Sequence, residues 1–171
     1  MKILGENSLS SRVIVGLNIL FTIIFLTDMV VLSTIAKAIY SIIMKEDIEN
    51  NILNLTLFIM IIATGIIALF IIYQFIKIFK NLKNNILFCE NNSKSLDIIS
   101  KNCFIISAIY FIISIFLLLI ISDLIGEFIY FIFTFSIMFM IIFAVLGIGL
   151  KILNEIYKKA IEYKEENDFT I

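Results

Sequence analysis

Four long apolar runs divide the chain, and the stretches between them are short and polar. Residues 13–32 are interrupted only by Gly16, Asn18, Thr22, Thr27 and Asp28. Three further runs occupy 52–73, 103–122 and 128–150. An α-helix rises about 1.5 Å per residue, so about 20 residues cross the roughly 30 Å hydrocarbon core of a bilayer. Each run is therefore predicted to be a membrane-spanning helix, and they are numbered one to four.

Spans two and four do not end cleanly. After span two the apolar residues Phe75, Ile78, Phe79, Leu82 and Ile86 recur at helical spacing, while Lys77, Lys80, Asn81, Lys83 and Asn84 take the other faces. Beyond span four, over 151–166, Leu153, Ile156, Tyr157, Ala160 and Ile161 fall on one face, with Lys164 extending it through its methylenes. Glu155, Lys158, Lys159, Glu162 and Glu165 face the other way, Glu155 and Lys159 being a favourable i, i+4 pair. Both spans are predicted to leave the bilayer as amphipathic helices. Span one either continues as a helix through Tyr40 or breaks at the interface. The polar stretch 77–101 then contains the first extension, a capped turn around Glu90–Ser93, and the approach to span three. Asn91, Asn92 and Ser93 are expected to cap that third helix, since their side chains accept hydrogen bonds from free backbone N–H groups. The fold class predicted is all-α: a single integral-membrane four-helix bundle over 1–171, built as two helical hairpins.

Composition agrees with this reading. The chain is 61% hydrophobic and 16% charged, against about 45–50% and about 25% for a soluble domain. The net charge of -1 conceals a segregation. Eleven Lys and Arg lie in the N-terminal lead, in 77–101 and after span four; only Lys37 and Lys45 lie on the other side. The positive-inside rule places both termini and 77–101 in the cytoplasm. The lead resembles a signal peptide, with Ala36-Lys37-Ala38 as a cleavage-like site. Its apolar run exceeds the usual h-region of about 7–15 residues, so the segment is expected to be retained.

Catalytic chemistry is scarcely represented. There is no His, Trp or Pro, which removes the commonest general base and metal ligand. Cys89 and Cys103 form no metal motif and are expected to be small reduced hydrophobes. No phosphate-binding glycine loop and no nucleic-acid motif is present, so no catalytic residue, cofactor, metal or direct nucleic-acid contact is expected. Asp28 stands out, because a charge at mid-bilayer costs at least about 2.5–3.5 kcal/mol. Counted from Val13 it lies in the outer leaflet. Partners at that depth would be Asn54 or Thr56 on span two, and Tyr130 or Thr134 on span four. Asp28, Asn54 and Thr134 are the candidate intramembrane polar site, an interhelical acceptor being the plainer alternative. Ser107, Ser114 and Ser136 are expected to make scattered interhelical bonds of about 0.6 kcal/mol each. Gly147 and Gly149, with Ala144, suit close helix packing.

Two stretches resemble a known family. ILFCENNSKSLDIIS (86–100) is similar to its loop between spans two and three, with Phe88, Asn92, Leu96 and Ile99 in the matching positions. EIYKKAIEYKEENDFTI (155–171) is similar to its closing helix and terminal signature, here Glu166, Asn167, Asp168, Phe169, Thr170 and Ile171. Cys89 and Ala160 depart from the pattern, standing where a hydroxyl residue and Gly are usual. The family is the bacterial domain-of-unknown-function 2975 family of small four-span proteins. That resemblance implies a multi-pass protein of the bacterial inner membrane with no established activity. Members are often encoded beside a small helix-turn-helix regulator, which implies a regulatory pair. Phe88, Asn92, Leu96, Glu166, Asn167 and Asp168 are then the candidate partner-binding residues. Two alternatives stay open: a protective protein against membrane-active peptides, and a small ion or solute conductor using Asp28. Homo-oligomerisation is open as well.

Overall fold

A computed structural model describes residues 9–44, 48–121 and 127–168. They form four helices: α1 (Leu9–Ile43), α2 (Ile48–Lys83), α3 (Glu90–Ile121) and α4 (Glu127–Asp168). Each is long and apolar enough to cross a membrane, the build of a multi-pass membrane protein. The first part of the lead, Lys45-Glu46-Asp47, residues 122–126 with the acidic turn expected there, and the last three residues of the terminal signature lie outside the described residues.

All four helices exceed one bilayer crossing. The shortest, α3, has 32 residues and the longest, α4, has 42, or about 48 and 63 Å at 1.5 Å per residue. The predicted extensions are thus unbroken continuations of their spans, although α2 ends at Lys83, so Ile86 lies in the turn and not on the helix face. Span one runs on as helix to Ile43, and the approach to span three is helical from Glu90.

The α2–α3 turn follows from one left-handed residue. Asn85 has φ 62°, a conformation Asn tolerates better than most residues. The Asn85 N–H donates to Leu82 O and the Ile86 N–H to Asn81 O, the pair of bonds that closes a helix with a left-handed cap. The next helix then opens one residue before the expected cap. Cys89 precedes its first turn, and its carbonyl accepts from the Asn92 and Ser93 N–H groups. Asn92 and Ser93 therefore do not cap the helix with their side chains; they belong to its first turn and point inward.

The helices pack in chain order, α1 on α2, α2 on α3 and α3 on α4. The α2–α3 joint is the sparsest. Buried apolar side chains concentrate on α3: Leu96, Ile99, Cys103, Ile106, Ile113 and Leu117. With half-buried Tyr110 between Ile106 and Ile113, they alternate spacings of three and four, the seam of a helix packed as in a coiled coil. Helix α1 differs. Its buried residues are Ser10 and Ala38 alone, and its large side chains, such as Ile23, Leu26 and Val30, face outward, as suits lipid contact.

Candidate functional site

Four serines on α3 recur every seven residues: Ser93, Ser100, Ser107 and Ser114. They lie one residue beyond Asn92, Ile99, Ile106 and Ile113, so they form a line beside the apolar seam and face α4. Ser93 donates to Asn154 Oδ1 at 2.8 Å, Ser100 to Gly147 O at 2.8 Å and Ser107 to Met140 O at 2.9 Å. Ser114 and Ser136 meet at 2.8 Å, and Ser136 lies 2.8 Å from Phe133 O. The partners on α4 are thus residues 154, 147 and 140, descending by seven as α3 ascends by seven, and then Ser136. Each hydroxyl has one proton, so within the Ser114–Ser136 pair one donates across and the other into its own helix. Small residues permit this approach. A Cβ on Gly147 would come 3.2 Å from the Phe104 ring, whereas Gly149 has nothing within 4 Å. Of the two glycines, Gly147 is the one that packing requires.

At the turn end of this seam, Asn92 is 1% exposed and its amide is fully engaged. Its Oδ1 accepts from Asn81 Nδ2 at 2.6 Å. Its Nδ2 donates to Leu87 O at 3.2 Å and Tyr157 Oη at 3.1 Å. The Tyr157 hydroxyl donates to Leu87 O in turn, and its ring lies against Phe88 with centroids 5.8 Å apart. One side chain thereby joins α2, the turn, α3 and α4. A buried amide costs free energy unless its bonding capacity is used; here α2, the turn and α4 supply the partners.

These positions revise the candidate partner-binding set. Asn92 and Leu96 are buried, so they position the turn rather than offer a surface. Phe88 is 43% exposed and does offer one. Glu166 and Asn167 are exposed on α4, next to Glu165, which shares a groove with Glu90 at the start of α3. Asn154 sits beside Ser93, so Glu166 lies twelve residues further along α4, about 18 Å away along the axis. Asp168 ends α4, and its side chain lies outside the described residues. The part of α4 that touches the turn is the segment around Tyr157. The groove, of about 330 Å³, runs between the start of α3 and α4, lined by Glu90, Lys94, Lys158 and Glu162 among others. The ion pairs around it are exposed and local: Lys94–Glu90 at 3.1 Å and Lys158–Glu155 at 3.2 Å. Glu155 thus pairs three residues on rather than with Lys159, and such surface pairs contribute at most about 1 kcal/mol.

The intramembrane polar site also differs from expectation. Asn54 and Thr134 are exposed, and Thr134 donates to Tyr130 O in its own helix at 2.9 Å. Asp28 meets Gly65 instead, its carboxylate occupying the space a Cβ would take there. The expected depth was counted from the first apolar residue, but α1 begins before it and its register is set by this notch. Gly65 is fourteenth of the 22 residues in 52–73, so Asp28 lies near mid-membrane. Beside it is a cavity of about 250 Å³ to which all four helices contribute, with Asp28, Thr64, Tyr110, Phe139 and Phe143 in its wall.

Residues 44–171 match the family model described as Protein of unknown function (DUF2975). The chain belongs to the DUF2975 family. No curated protein and no solved structure matches it. The part shared with DUF2975 takes in α2, α3 and α4, and so contains the whole serine ladder and the Asn92 node. Helix α1, with Asp28, lies outside it. Among the described residues of this DUF2975 chain no cluster of three or more metal-ligating side chains occurs, and both cysteines are free. Sequence reasoning missed Asn81, Tyr157, Asn154 and Gly65. It also treated Ser107 and Ser114 as scattered, although they continue the seven-residue spacing of Ser93 and Ser100, a usable signal.

Proposed function

We propose that this DUF2975 protein is a non-enzymatic component of a bacterial regulatory pair. It resides in the inner membrane with both termini and the α2–α3 turn in the cytoplasm. Its turn end engages a small soluble helix-turn-helix regulator. The observation that carries the reading is the Asn92 node. Three helices are tied together by one buried amide beyond the apolar spans, and Phe88 is held exposed against Tyr157 on that fixed platform. A rigid platform with an aromatic at its surface is the usual form of a protein-binding patch. The lysine distribution supports the orientation, and the gene arrangement implied by the family resemblance supports the kind of partner.

The test is capture of the regulator encoded beside the gene on membranes carrying the tagged full-length chain. Capture is expected with the wild-type chain and lost on Phe88→Ala, while total membrane-inserted protein stays the same. Absence of capture by the wild-type chain, or undiminished capture both by Phe88→Ala and by a variant lacking 165–171, would sink the proposal.

A further inference from the structure

The cavity beside Asp28 has a polarity that the protein itself leaves unanswered. Asp28 Oδ2 is buried with no hydrogen-bond partner, and no Lys or Arg is among the residues that wall the cavity. Thr64 donates to Ile61 O at 2.8 Å and Thr27 to Ile24 O at 2.7 Å, so neither hydroxyl proton is available to the carboxylate. A carboxylate near mid-membrane requires a donor or a counter-charge. The same wall carries aromatic rings: Tyr110 stacks on Phe139 with centroids 5.4 Å apart and on Phe143 at 6.4 Å.

We propose that this cavity is a binding site for a small lipophilic ammonium ion, with Asp28 as its counter-ion and Tyr110, Phe139 and Phe143 receiving its hydrocarbon groups. Aromatic faces attract organic cations within about 6 Å of the ring centroid, and desolvation strengthens that attraction. A hard metal ion is less suited. Calcium takes about 6–8 oxygen ligands, and the cavity offers one carboxylate and a few hydroxyls among hydrocarbon. The volume of about 250 Å³ falls below the range of about 300–1,000 Å³ for drug-sized ligands, so the occupant is small. The cavity lies between the two hairpins, where helix packing is sparsest, and a lipophilic cation reaches it from the bilayer. Asp28 comes from outside the family match and the aromatic wall from inside it, so the cavity wall is shared with DUF2975 but the charge is brought by α1. The site is independent of any partner at the turn end.

The experiment uses the full-length protein in nanodiscs, with benzyltrimethylammonium as probe and neopentylbenzene as its neutral isostere, carbon replacing nitrogen. Calorimetric titration is expected to show saturable binding of the cation at least ten-fold tighter than of the isostere. Asp28→Asn, which preserves shape, should weaken cation binding at least ten-fold and leave the isostere unchanged. Phe143→Leu should weaken the cation several-fold, and Thr134→Ala, away from the cavity, should change nothing. Equal affinity for cation and isostere, no saturable binding to the wild-type protein, or undiminished binding to Asp28→Asn would each overturn the proposal. So would displacement of the probe by equimolar sodium, which would mark an inorganic-cation site.

Discussion

Helix α1 and the serine line of α3 handle the same problem in different ways. A hydroxyl in hydrocarbon must find a partner, because no water is there to supply one. In α1, Thr22, Thr27, Ser33, Thr34 and Ser41 each donate to a carbonyl three or four residues back in their own helix. In the α3–α4 hairpin, Ser93, Ser100 and Ser107 donate across to α4, and Ser114 meets Ser136. The first arrangement satisfies the group but says nothing about the neighbour. The second specifies which residue of α4 stands opposite each residue of α3. Register in the α1–α2 hairpin rests instead on shape, chiefly the Asp28–Gly65 notch. The family match covers the specified hairpin and leaves α1 out.

The comparison is most severely tested at Asn92. Replacing it with Leu leaves the buried end of Asn81 and the Tyr157 hydroxyl short of partners, and about 3 kcal/mol of stability should be lost. Detergent unfolding titrations would measure it, and a change under about 1 kcal/mol would remove the node from the argument. Gly147→Leu comes next, with about 2 kcal/mol lost to the clash with Phe104. Gly149→Leu, placed in open space, should be near neutral in the same assay, and equal effects would refute the close-approach reading. Gly65→Ala should displace the Asp28 carboxylate and cost about 1–2 kcal/mol. Engineered-cysteine cross-linking would report it as loosening of α1 from α2 with α3–α4 cross-links unchanged. The smallest effect separates the two kinds of hydroxyl. Ser100→Ala should cost about 0.6 kcal/mol, and Thr22→Ala in α1 should have no measurable effect on stability.

Much of the architecture was legible in the sequence, because a membrane imposes a length and an apolarity that few other environments do. The spans and the helical extensions of spans two and four could be read from residue spacing, but the turn expected around Glu90–Ser93 lies earlier, between Lys83 and Glu90, because Asn85 closes α2. Asp28 could not be placed, since its depth depends on a glycine in another helix rather than on distance from the first apolar residue. Asn92 was misjudged for a related reason. A polar residue in a polar stretch reads as surface, and its burial depends on Tyr157, 65 positions away. The serine repeat was visible as spacing, but it gains meaning only once α4 presents partners at the same interval.

A repeating ladder has an ambiguity that a single contact lacks. Slide α4 by seven residues, about 10.5 Å, and three of the four serines again face residues of the α4 series, as a vernier matches its scale at more than one mark. The Asn92 node supplies the zero of that scale. A seven-residue slip would carry Tyr157 away from Leu87 and Phe88 and strand the buried amide, so only one setting satisfies ladder and node together. The hairpin therefore has no continuum of nearby positions, and axial movement of α4 within the membrane must either be resisted or be delivered whole to its far end.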